Sequence, residues 1–114
     1  MKNIFNKIFR EKRVDLIIHP ELVDWHISQG EEDNFYERAV GIREEINKII
    51  ANGKKSNDYF IVNDINFVPQ KFPKPKKRQN IVISGAYKNQ CCIIAYTILI
   101  EKGYKVSYNL EGCL

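Results

Sequence analysis

Chemistry at neutral pH needs a nucleophile or a titratable base, and this chain offers few of either. Its thiols are Cys91, Cys92 and Cys113, and its imidazoles are His19 and His26. Cys91 and Cys92 open a long apolar run that follows Ile81-Val82-Ile83-Ser84-Gly85 and a short polar turn. That order predicts strand, tight turn and buried helix, with both thiols in the first helical turn. A thiol there meets the positive end of the helix dipole and unpaired backbone N–H groups, which favour the thiolate. Cys91 is therefore the position for a nucleophile, and Cys92, about 100° further round the helix, reads as core. The two histidines could form a metal pair, but no third ligand stands at metal spacing, so no metal site is expected.

Four segments must position these groups. Val14 to His19 is a β-branched and apolar run ended by Pro20, Tyr59 to Val62 is a second such run, Ile81 to Ser84 a third and Lys105 to Leu110 a fourth. Between the first two lies a polar, acidic stretch from Glu21 to Asp33, with Trp25 as its one large apolar residue. A helix follows from Asp33 or Asn34 to Ala51, its apolar face carrying Phe35, Tyr36, Ala39, Val40, Ile42, Ile46, Ile49 and Ile50, with Gly53 as a left-handed cap. The helix from about Asn89 to Lys102 is apolar nearly all round and should be covered on most sides. These elements predict a three-layer α/β/α sandwich with a mainly parallel sheet of about four strands. Ligands in such sheets bind beyond the carboxyl ends of the strands, where His19, Asp64 and the turn Gly85 to Asn89 should gather.

The length of 114 residues suits one domain that folds without disulfides or metals. An odd count of cysteines and an N-terminus that alternates charge with apolar residues point to reduced thiols in a cytoplasmic setting, with no membrane span. The net charge of +4 is uneven: residues 1–13 contribute +4 and residues 71–78 contribute +5, which leaves −5 for the rest. Residues 1–13 place Ile4, Phe5, Ile8 and Phe9 on one face of a short basic helix, and 14–114 form the domain proper. The run Lys71 to Arg78, broken by prolines, reads as an exposed crossing that could also contact phosphates.

The stretch from Gly85 to Tyr104 resembles the isochorismatase-like cysteine hydrolases, which include nicotinamidases. Gly85 is followed by Ala86-Tyr87-Lys88-Asn89-Gln90 and then Cys91, and the helix ends in Gly103-Tyr104 before a strand, as in that family's late motif. The resemblance implies a Cys-Asp-Lys triad acting on an amide or an enol ether. Where the family's Asp would end the first strand, this chain has His19-Pro20-Glu21, so His19 or Glu21 would stand in as the base, and Lys71 or Lys74 would supply the lysine. Gly85, Ala86, Tyr87, Asn89 and Trp25 are the candidate ligand-binding residues.

Three functions follow as expectations. The first is a reduced, non-catalytic member of that fold, with no cofactor, that binds a small molecule or a protein and self-associates through an exposed sheet edge. A second is an active thiol hydrolase with Cys91 as nucleophile. The third is a binder of nucleic acid or an acidic partner through segments 1–13 and 71–78.

Overall fold

The computed structural model describes residues 12–53 and 58–114. The expected N-terminal helix over 1–13 falls largely outside them, and its last two positions, Lys12 and Arg13, belong instead to the first strand. Four strands, β1 (Lys12–Ile18), β2 (Asp58–Val62), β3 (Gln79–Gly85) and β4 (Lys105–Cys113), form one all-parallel sheet in the order β2-β1-β3-β4. The helices are α1 (Pro20–Ser28), α2 (Tyr36–Gly53), α3 (Val68–Lys71) and α4 (Ile93–Glu101). The α/β class expected from the sequence is the one observed.

Alternation along the central strands builds two cores. Val14, Leu16 and Ile18 of β1 and Ile81 and Ile83 of β3 face one side, where Val68, Phe72, Cys92, Ala95, Leu99 and Tyr104 cover them. Ile17 faces the other side, under Val23 of α1 and Ala39, Ile42, Ile46 and Ile49 of α2. Both central strands are thus buried on both faces, which is why they read as unbroken apolar runs.

Several local expectations need correction. Pro20 starts α1 at its first turn, where a missing N–H costs nothing, so the acidic stretch after β1 is a helix that presents Val23 and His26 inward. Residues 68–71 form a short helix within the proline-rich crossing, and Phe72 beside it is buried. Gly53 is required by close approach, since a Cβ there would meet the Tyr59 ring at 2.2 Å. The left-handed cap expected at Gly53 occurs at Gly103 instead, with φ of 92°.

The largest departure is α4. It buries only Ala95 and Leu99, while Ile93, Ile94 and Ile100 stay exposed. Uniform apolarity did not signal uniform burial, because one layer of helices covers each face of the sheet and nothing among the described residues lies outside α4. No helix among the described residues is long and apolar enough to cross a membrane.

This asymmetry predicts unequal mutational costs along one helix. Leu99→Ala should destabilise by about 2–5 kcal/mol through loss of burial and a cavity, whereas Ile94→Ala should stay within about 0.5 kcal/mol. Urea unfolding of both variants checks the difference, and equal losses would contradict the exposed face.

Candidate functional site

The carboxyl ends of β1 and β3 meet at a contact that only glycine permits. Gly85 has φ of 116°, and a Cβ there would lie 1.9 Å from the Ile18 carbonyl oxygen. The next amide, Ala86 N–H, donates to that same oxygen at 2.9 Å. Leu114 N–H donates to the Gly85 carbonyl and Lys88 N–H to the Leu114 carbonyl, at 2.8 and 2.7 Å, so the last residue described closes over the turn. In the order β2-β1-β3-β4 the connections leave β1 and β3 in opposite directions, which makes this the position where a ligand crevice is expected. Here it is filled by Ala86 and Leu114, both buried.

His19, at the end of β1, takes a left-handed conformation (φ 47°) before Pro20. Its backbone N–H donates to the Val62 carbonyl at 2.8 Å, which ties the ends of β1 and β2 together. Its Nδ1 pairs with Glu21 Oε1 at 2.7 Å. The two residues offered as stand-in bases are therefore partners of each other. Asp64, expected nearby, accepts from the Asn66 backbone N–H at 3.0 Å and caps a single 3₁₀ turn.

Cys91 does not sit in an ordinary helical first turn. Lys88–Cys92 is wound as a π-type turn in which Cys92 N–H reaches the Tyr87 carbonyl at 3.1 Å and Gln90 N–H reaches the same oxygen at 3.0 Å. α4 begins only at Ile93, after both thiols. Two amides expected to be free are thus committed, which removes part of the anion-stabilising argument. Cys91 is half-buried and packs against the core on the α4 side of the sheet. Cys92 is fully buried, and a hydrogen bond with Cys113 together with burial pushes its pKa well above the ordinary thiol value. Cys113 Sγ in turn donates to the Ile83 carbonyl at 3.2 Å. These two are structural thiols.

The lysines lie elsewhere. Lys74 lines a cavity with Asp58 and Gln79, the first residues of β2 and β3. Seven residues of β3 separate that end from Gly85, roughly 20 Å of strand. Lys71 lines this cavity and another beside Val62 and Asn63 at the far end of β2. Cys91, His19 and Lys74 are not brought together as a triad.

The strongest side-chain network of this region was not assembled by sequence reasoning. Buried His26 of α1 places Nδ1 3.0 Å and 3.1 Å from the two Asp33 oxygens and Nε2 2.7 Å from Tyr87 Oη. A carboxylate only accepts, so Nδ1 donates to Asp33, while Nε2 shares a hydrogen bond with the Tyr87 hydroxyl. Trp25 and Phe35 pack edge-on against the imidazole at 4.9 and 5.2 Å, both half-exposed. The network joins α1, the entry to α2 and the turn after β3, and of the proposed ligand-binding residues Tyr87 enters it through a hydrogen bond and Trp25 through a ring contact. Asn89 is exposed on that turn. His26 and Tyr87 are 61 positions apart, so no local spacing could have paired them.

Asp33 also accepts the Phe35 N–H at 2.8 Å. That bond first, then His26, holds its carboxyl below the ordinary value against the opposing effect of burial. A depressed carboxylate pKa gives stability that is present above the unfolded value, near pH 4, and is lost as pH falls through the folded value. Asp33→Asn should therefore flatten the acid limb of stability below about pH 4, read from urea midpoints across pH. An unchanged acid limb would assign that limb to other carboxylates. Gly85→Ala should cost more than about 3 kcal/mol or prevent folding, because the Cβ meets backbone in a conformation that favours glycine. Comparisons with family models, curated proteins and solved structures return no match.

Proposed function

We propose that this chain is a reduced isochorismatase-like domain that works as a binding module and not as a thiol hydrolase. The observation that carries the reading is the placement of Cys91. Its side chain packs on the α4 side of the sheet, whereas Tyr87 and Ala86 pack in the opposite core. Acyl transfer by a thiolate needs a proton donor and oxyanion donors converging on the same carbonyl. His19 is engaged with Glu21, Lys74 belongs to the amino end of the sheet, and the Gln90 and Cys92 amides are spent on the Tyr87 carbonyl. What resembles the hydrolases is the sequence spacing of Gly85, Cys91 and Gly103-Tyr104.

The reading predicts that iodoacetamide alkylates Cys91 in the native chain no faster than in the urea-unfolded chain at the same pH, followed by mass spectrometry of the Cys91 peptide. Alkylation tenfold faster in the native state, together with hydrolysis of a small amide that Cys91→Ser abolishes, would restore the hydrolase.

A further inference from the structure

The edge of the sheet at β4 is built differently from the edge at β2. β4 runs for 9 residues against 5 for β2, and from Val106 to Glu111 no strand lies along its outer side among the described residues. An edge of that length is a template for another strand, and edges are commonly blunted by lysine, proline or a bulge. β4 has no proline, and its one lysine, Lys105, stands at its first position. Its register with β3 does break after the pair Ile83–Tyr108, to resume at Gly85–Cys113. The break does not protect the edge, since Leu110 within it is 72% exposed, the highest value among the large apolar side chains described.

The helix above this edge exposes apolar residues on the same flank. Tyr96 of α4 stacks on Tyr108 of β4 with ring centroids 5.1 Å apart and planes 13° from parallel, so that flank of α4 overlies β4. Ile93 and Ile100, one turn to either side of Tyr96, share its helical face and are 47% and 42% exposed. Ile94 is equally exposed but lies about 160° from Tyr96 around the helix. The strand itself is self-complementary. When β4 lies antiparallel to a second β4 with Tyr108 on the two-fold axis, Val106 falls opposite Leu110, Ser107 opposite Asn109, and Lys105 opposite Glu111, the only two charges in the strand. No other register of this pairing brings those charges opposite each other.

We propose that β4 and the adjoining flank of α4 form the interface of a symmetric homodimer, in which two β4 strands pair antiparallel about Tyr108 and join two four-stranded sheets into one. The occupant of the edge is a second copy because the pattern is its own complement: each Lys105 meets the partner's Glu111, and the two-fold axis repeats every contact. In a sheet continuous through that axis both α4 helices lie on the same face, and Ile93 and Ile100 of each close on the other, which gives these isoleucines apolar cover. The inference goes beyond the binding-module reading and makes no use of Cys91, so each can fail alone.

The test is sedimentation equilibrium of the full chain at concentrations from about 1 to 100 μM. A monomer–dimer equilibrium is expected within that range, and a monomer throughout would overturn the proposal. Lys105→Glu or Glu111→Lys alone sets like charges opposite each other twice by symmetry and should weaken the dimer at least about tenfold. The double swap, Lys105→Glu with Glu111→Lys, should restore it. Both residues are exposed, and far-ultraviolet circular dichroism should show the fold of each variant intact. Ile100→Lys should weaken the dimer by a similar factor, whereas Ile94→Lys, on the other flank of α4, should leave it unchanged. A dimer indifferent to the single charge variants or to Ile100→Lys, or one that the double swap fails to restore, would place the interface elsewhere and overturn the proposal. So would association that continues past the dimer, the sign of head-to-tail pairing between β4 and the other edge. A reactive Cys91 in a dimer that obeys the charge swap would sink the binding-module reading alone.

Discussion

The fold depends on how closely β1 and β3 run together. Seven residue pairs, Lys12 with Gln79 through Ile18 with Gly85, are in parallel register, and both strands are buried on their two faces. A one-residue slip would exchange the two cores, because alternation sends Val14, Leu16 and Ile18 to one face and Ile17 to the other. Gly85 stops the slip at the carboxyl end. Only its missing Cβ lets the Ile18 carbonyl come so near, and the Ala86 N–H then occupies that carbonyl.

That closure has a consequence for function. A parallel sheet usually opens at the point where neighbouring connections diverge, since the loops leave a crevice there. Here the crevice holds Ala86, Leu114 and the His26–Tyr87 bond, so the groups that would bind or react are instead bonded to one another. Asp33, His26 and Tyr87 make a part-buried polar chain that is satisfied along its length, and such a chain stiffens the surrounding elements. The same geometry bears on the proposal that Cys91 is not a nucleophile. The π-type turn spends the amides that an ordinary helix start would offer, and the thiol rotates towards the Leu99 side.

Much of the architecture could be read from the residues, and less of the site. The four strands were legible because buried parallel strands are runs of β-branched residues, and α2 because its apolar residues recur on one helical face. α1 was obscured by its acidic surface and by Pro20, which marks a helix start as readily as a turn. α4 misled in the opposite way: Ile93, Ile94 and Ile100 have the composition of a core helix, and nothing in a linear pattern says whether a second layer lies outside. Gly85 was legible as a turn, but its contact with Ile18 is a matter of two strands meeting. The pairing of His26 with both Asp33 and Tyr87 was equally out of reach, since its members come from three separate elements.

The two ends of the sheet differ in how their polar groups are resolved. At the carboxyl end, His19, His26, Tyr87 and Asp64 each have an internal partner within about 3 Å. At the amino end, the buried atoms Tyr104 Oη and Gln79 Oε1 lack one. A phenol could be replaced there by phenylalanine with no loss of packing against Phe72, so packing alone gives no reason for the hydroxyl.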